Sequence, residues 1–228
     1  MKYKWYIAVL FPLIICICMF ITVQAEVDLP LLGKVIVIDP GHGGRDPGTI
    51  FGKIYEKDIN LEISKVLEQE LLSRGAIVYM VRSDDSDLSS VYDKLKKRGD
   101  LYRRILFIGD EAKKTDLYLS IHINWYKNSS WSGAEVLYNS INPNNKILGE
   151  IVMQHFKKDL NTKRTLKKTD LYLYRNTRVP GVLIECGFLS NPNERYLLQQ
   201  SSYQKKLSKS ITNAVIDYFD TISSDTSG

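Results

Sequence analysis

The stretch VIVIDPGHGG, Val35 to Gly44, runs four apolar, mostly β-branched residues into an acid, a proline and three glycines that enclose one histidine. The apolar run reads as a buried strand, and the glycines as the turn that ends it. Gly41, Gly43 and Gly44 let the backbone turn sharply, some of them at positive φ, so that His42 projects into an open cleft with no neighbouring Cβ in the way. The turn lacks the G-x-x-x-x-G-K-[ST] and G-x-G-x-x-G patterns of phosphate loops, so a histidine and not a phosphate cradle is what it displays.

Outward from this stretch, apolar runs alternate with helical patterns. KVIVID (34–39), AIVYMV (76–81), LYLSIHI (117–123), AEVLYN (134–139), LYLY (171–174) and GVLIEC (181–186) read as strands. Several are apolar throughout, as strands covered on both faces are. Ile59, Ile63, Val66 and Leu67 share one face of a helix that Gly75 caps. Further helices are predicted over residues 86–114, with a break at Gly99 or Gly109, over residues 145–160, and at the end of the chain, where Leu207, Ile211, Ala214, Val215 and Tyr218 form one stripe. NPNE (191–194) offers an N-cap, a first-turn proline and a capping-box acid. The pattern predicts a single α/β domain over residues 32–219, with a mainly parallel twisted sheet covered by helices on both faces. A disordered Ser-rich tail is expected over residues 220–228.

Ahead of this domain, Lys2 and Lys4 precede a charge-free apolar run from Tyr6 to Val23. Residues 1–25 are expected to be a targeting segment. Cleavage after Ala25 as a signal peptide and retention as an N-terminal membrane anchor are both compatible with it. Cys16 and Cys18 fall inside this run, which leaves Cys186 alone in the domain and excludes a disulfide framework. The chain carries 31 Lys and Arg against 26 Asp and Glu, and without Lys2 and Lys4 its net charge of +5 falls to +3. That balance is too mild to argue for nucleic acid, and the clusters KLKKR (94–98) and KRTLKK (163–168) read as solvated faces.

In mainly parallel sheets, ligands collect outside the carboxyl ends of the strands. His42 follows the first strand, His122 ends the third, Glu185 ends the last, and Glu56 opens the first helix. Two imidazoles and a carboxylate suit a catalytic zinc with one position open to water. A remaining carboxylate, Glu185, can then exchange protons with the water and the leaving group. Asp39 is a candidate acceptor for the second ring N–H of a ligating histidine. Each residue also has an ordinary reading: His122 as a core histidine, Glu56 as a helix-start acid, Glu185 as a buried partner of Arg178 or Arg195. Four such groups at one sheet edge favour the functional reading. His155, on a helix far from any strand end, reads as a surface residue. Cys186 points to the sheet face opposite Glu185 by strand alternation, so it is no nucleophile.

VIVIDPGHGGRDPG, YEKDINLEISKVLEQEL, LYLSIHIN, WSGAEVLY and VPGVLIECGFLSNPNE together resemble the zinc-dependent N-acetylmuramoyl-L-alanine amidases of the amidase-3 type, over nearly all of the chain after Leu32. The resemblance implies cleavage of the amide between the lactyl group of N-acetylmuramic acid and L-alanine in peptidoglycan. It implies one zinc ion held by His42, Glu56 and His122, with Glu185 as catalytic acid/base. Within the family the chain is similar to the spore-associated amidases that strip peptides from muramic acid so that cortex muramic lactam can form. A vegetative cell-separation or autolytic amidase, another zinc hydrolase of wall polymers and a non-catalytic peptidoglycan-binding module are the alternatives. The expected substrate is the glycan strand with its peptide stems, in the extracytoplasmic wall or cortex space. Arg45, Asn124 and Asn191 adjoin motif residues and are the candidate substrate contacts. Only about ten residues separate SIHIN from GAEVLY, too few for an inserted autoinhibitory helix of about three turns. With no wall-binding repeat beside the domain, an accessory activating protein is expected.

Overall fold

The structure, a computed structural model, describes residues 28–89, 97–110 and 113–225. The expected targeting segment over residues 1–25 lies outside them. The first strand, β1 (Val35–Pro40), is followed by a small hairpin, β2 (Ile50–Phe51) and β3 (Ile54–Tyr55), which leads into helix α1 (Glu56–Leu72). Then come β4 (Ile77–Met80), α2 (Lys97–Ile108), β5 (Leu117–Asn124), β6 (Glu135–Tyr138), α3 (Asn144–Leu160) and β7 (Lys167–Lys168). A short helix α4 (Tyr172–Arg175), β8 (Gly181–Phe188), α5 (Pro192–Leu198) and α6 (Ser201–Asp225) complete the chain.

Six strands form one sheet in the order β4-β1-β5-β8-β6-β7. β4, β1, β5 and β8 are mutually parallel, whereas β6 runs antiparallel to β8 and carries β7 with it. Alternation along β1 divides the core. Ile36 and Ile38 face α1, α3 and α6, where Ile63, Leu67, Val152, Phe156, Ile211 and Val215 are buried. Val37 faces the other way with Tyr118 and Leu183, under Ile105 and Ile108 of α2 and Leu173 of α4. The mainly parallel α/β sandwich with helices on both faces is thus the observed fold.

Four expectations need correction. LYLY (171–174) forms no strand: Leu171 is the N-cap of α4, and the sheet edge beside β6 is taken by Lys167 and Lys168 instead. A run of four apolar residues is too short for its period to separate strand from helix. The helix predicted from residue 86 begins, within the described residues, at Lys97 and stops before Gly109. The tail expected to be disordered from residue 220 is helical to Asp225, because Ile222 extends the α6 stripe one more turn and packs on the core. His155 is half-buried, not a surface residue, with Nε2 2.7 Å from Asp217 of α6.

Candidate metal centre and its cleft

The carboxyl ends of β1, β5 and β8 bring the expected residues together. Imidazole and carboxylate donors of His42, Glu56 and His122 all lie within 4.8 Å of one another. Glu56 stands between the rings: Oε1 is 3.2 Å from His42 Nε2 and 3.2 Å from His122 Nδ1. Its orientation is fixed from outside by the backbone N–H groups of Ile123, 3.1 Å from Oε1, and Thr49, 2.8 Å from Oε2. The two rings meet edge to face with centroids 4.9 Å apart.

Their electrostatics favour a cation at the centre. Burial pushes the Glu56 carboxyl up, but hydrogen bonds from His122 and His42 outweigh it and hold the group well below the usual carboxylate range. Burial likewise pulls His42 down, and contacts with Glu56 and Asp46 more than reverse this, raising its proton affinity. A negative centre walled by two imidazoles is a hard-to-neutralise site for anything but a positive ion.

Asp46, and not Asp39, orients His42. Asp46 Oδ2 is 2.9 Å from His42 Nδ1 and accepts its ring N–H, which leaves Nε2 facing Glu56. Gly43 and Asp46 exchange both backbone hydrogen bonds, folding the loop so that positions 42 and 46 meet. Asp39 is committed elsewhere, to Arg104 at 2.5 Å and Ser120 at 2.9 Å. The chain sets His42 itself in the left-handed region at φ 62, a conformation worth of order 1–3 kcal/mol of strain.

Gly41 serves by its size: a Cβ there would lie 2.2 Å from His122 Cε1 and 2.3 Å from Nε2. Gly48, at φ +66, leaves room in the same way for Glu56 and His42, whose nearest atoms are both 2.7 Å from its absent Cβ. Cradles this tight fit a donor set held for one small ion. Gly41→Ala is expected to push the His122 ring aside and weaken divalent metal binding at least tenfold, with the melting temperature of the metal-free protein far less changed; a competition titration with a chromogenic chelator measures it.

Glu185 faces the same cleft from β8, directly beside His122 in the strand register. It pairs with neither Arg178 nor Arg195: among the described residues, its buried Oε2 has no hydrogen-bond partner. Burial, then the nearby carboxylates Glu56 and Glu135, push its pKa up to about 8. Glu135 stands opposite Glu185 in the antiparallel pair of β6 and β8. A bulge in β8 between Glu185 and Phe188 shifts the register just past this point, a device that re-aims side chains beside sites. Cys186 is fully buried on the opposite face, and burial pushes its thiol well up.

The three candidate substrate contacts are occupied in other ways. Arg45 pairs with Asp87 at 2.9 Å and also meets Ser89. Asn124 lines the cleft, but its amide donates to Glu135 at 2.8 Å. Asn191 caps α5 through Asn193 N and Glu194 N and donates to the Ser129 carbonyl. Glu194, expected to close a capping box, reaches instead to Phe188 N and Gly133 N.

The sequence model of the N-acetylmuramoyl-L-alanine amidase family matches residues 36–217. The chain belongs to this family. It is 39% identical over 197 residues to the germination-specific N-acetylmuramoyl-L-alanine amidase of Bacillus subtilis, covering 84% of this chain and 82% of that protein. The solved CwlD amidase from Clostridioides difficile, in complex with the GerS lipoprotein, superimposes with a TM-score of 0.78 at 33% identity, covering 82% of this chain and 99% of that one. The catalytic domain of CwlV, an amidase from Bacillus (Paenibacillus) polymyxa, gives a TM-score of 0.71 at 29% identity over 82% of this chain and 98% of its own. The amidase described here carries its cleft at the sheet edge where the first strand, the hairpin and the last strand converge.

Proposed function

We propose that the protein is a zinc-dependent amidase that cleaves the bond between N-acetylmuramic acid and L-alanine. His42, Glu56 and His122 hold the ion, and Glu185 moves the protons. The observation that carries this reading is the convergence of those three donors within 4.8 Å, beside a carboxyl oxygen that is buried and has no partner. When bound, the cation polarises the amide carbonyl and lowers the pKa of water from 15.7 to about 7.

The chain's own residues do the rest. Asp46 holds the His42 ring by Nδ1, so that Nε2 stays turned inward. Glu185, whose proton affinity is raised by burial and neighbouring carboxylates, takes a proton from the water whose oxygen adds to the amide carbonyl carbon and gives it to the nitrogen of L-alanine as the C–N bond breaks.

The likeness to a germination-specific relative supports action in the spore cortex, on the extracytoplasmic side. Among the described residues no helix is long and apolar enough to cross a membrane; the targeting segment is the feature that would export or tether the enzyme. The similar CwlD amidase is in complex with the GerS lipoprotein, which supports an accessory activating partner here.

Incubation with defined muropeptides, with and without a chelator, tests the core of the reading. Products with free L-alanine amino termini and an intact N-acetyl group are expected, and chelation is expected to abolish them. Loss of the acetyl group instead, or cleavage within the stem, would assign the site to another wall hydrolase.

A further inference from the structure

The cleft has two unlike ends. A recess beneath α2 and α4 is lined by Leu101, Leu171, Tyr172 and Leu173, with Asp100 and with Lys97, whose ammonium is 2.6 Å from Asp46. The other end opens at Trp125 and Thr49. Trp125, its neighbour Tyr126 and Phe51 of the hairpin are 51%, 49% and 45% exposed. Large aromatic rings left this open on neighbouring segments mark a surface that is covered when the protein works.

These rings stand on a backbone held rigidly for display. Trp125 N donates to Asn124 Oδ1 at 2.8 Å, Tyr126 N to Ser190 Oγ at 3.2 Å, and Asn191 Nδ2 to the Ser129 carbonyl at 3.0 Å. Tyr126 stacks on Trp131 with centroids 4.5 Å apart. On the hairpin side the Arg195 guanidinium lies 3.5 Å from the Phe51 ring and donates to the Leu189 carbonyl. One arginine therefore ties the hairpin to the segment that supports the Trp125 loop. Asn124 and Asn191 act as struts of this surface, which is where their side-chain hydrogen bonds are spent.

We propose that Trp125, Tyr126 and Phe51 form a platform for the glycan strand, with pyranose rings of the sugars flanking the cleaved muramic acid stacked on them. The inference rests on the amidase reading for where the strand must pass: the scissile amide hangs from a sugar, so the strand leaves the metal centre along one wall. Pyranose rings are uncharged, with apolar C–H faces and polar rims, which amphipathic aromatic rings match. Trp125 lines the same cleft as His42, Glu56, His122 and Glu185, so a sugar stacked on it adjoins the muramic acid whose amide is cut.

Calorimetric titration of the full chain with a peptide-free tetrasaccharide of alternating N-acetylglucosamine and N-acetylmuramic acid tests the platform without turnover. Trp125→Ala is expected to weaken that binding at least tenfold. In hydrolysis assays, the same substitution is expected to lower kcat/KM for a tetrasaccharide carrying peptide stems at least ten times more than for N-acetylmuramoyl-peptide with a single sugar, chiefly through KM. Equal losses on both substrates, or equal tetrasaccharide affinity in Trp125→Ala, would overturn the proposal, as would absence of binding by the unsubstituted protein. If the unsubstituted protein hydrolyses neither substrate yet binds the tetrasaccharide through Trp125, the amidase reading fails and the platform stands.

Discussion

Glu185→Ala is expected to keep its metal and lose turnover by roughly 10² or more, the scale of a positioned acid/base. The expectation separates two roles that one carboxylate at this edge could play. Glu56 lies between the two imidazoles at 3.2 Å from each, whereas Glu185 keeps a buried oxygen without a partner. Removing a ligand should empty the site; removing a proton carrier should leave it filled. Elemental analysis of the purified variant alongside single-turnover kinetics distinguishes the outcomes. Metal loss in Glu185→Ala would make Glu185 a ligand, and unchanged turnover would remove it from the mechanism.

The same residue has a second, pH-dependent signature in metal-stripped protein. Its carboxyl is raised from the ordinary range to about 8 by burial and by Glu56 and Glu135. Below the unfolded value near 4.3 the group is protonated in both states and costs nothing. As pH rises above that value the unfolded chain releases a proton that the folded chain retains, so the folded state loses stability until about pH 8. Glu185→Gln removes this penalty. At about 1.4 kcal/mol per unit, the metal-stripped variant should be more stable than its parent by up to ~5 kcal/mol near pH 8 and by ~1 kcal/mol near pH 5. Urea unfolding at the two pH values measures it, and equal gains at both would show that packing rather than charge is responsible.

The residues of the candidate metal centre were legible because strand ends announce them. His42, His122 and Glu185 each terminate an apolar run, and a mainly parallel sheet gathers such ends on one edge. What holds them there was less visible. The hairpin of Ile50–Phe51 and Ile54–Tyr55 has strands of two residues, too short to show alternation. The Asp46 contact with His42 depends on the left-handed φ of His42, for which glycine and not histidine is the expected residue. Asp39 was the nearer acid in the motif, but strand alternation turns it toward the α2 face, where Arg104 and Ser120 meet it. A signal for Arg104 did exist: it shares the spacing of Leu101, Ile105 and Ile108, so a charge occupies an apolar stripe. In a basic segment that reads as a solvated face, that placement is easy to pass over.

Arg104→Met is expected to destabilise the protein by ~3–5 kcal/mol, the cost of leaving one partner of a buried ion pair uncompensated. Arg104 and Asp39 are each 2% exposed or less, and Nη1 lies 2.5 Å from Oδ1. The same guanidinium donates to the Pro40 carbonyl at 2.8 Å and the His42 carbonyl at 2.5 Å, and to Asp100 at 2.7 Å. Arg82 takes the Pro40 and Gly41 carbonyls, each at 3.0 Å. Two buried arginines therefore satisfy three consecutive carbonyls of the loop that carries His42, and the loop's strained backbone is held by charge-assisted hydrogen bonds. Burial raises the Asp39 pKa, yet Arg104 and the nearby His122 outweigh this and depress it. The stability due to that depressed pKa is present above the unfolded value near 3.9 and is lost as pH falls through the folded one. The defect in Arg104→Met should accordingly be largest near pH 7 and shrink below about pH 4. Adding Asp39→Asn should recover part of the stability but little of the metal affinity, because the carbonyl of His42 still lacks its donor. Recovery of both together would mean that Arg104 serves only to neutralise Asp39 and does not position the metal-binding loop.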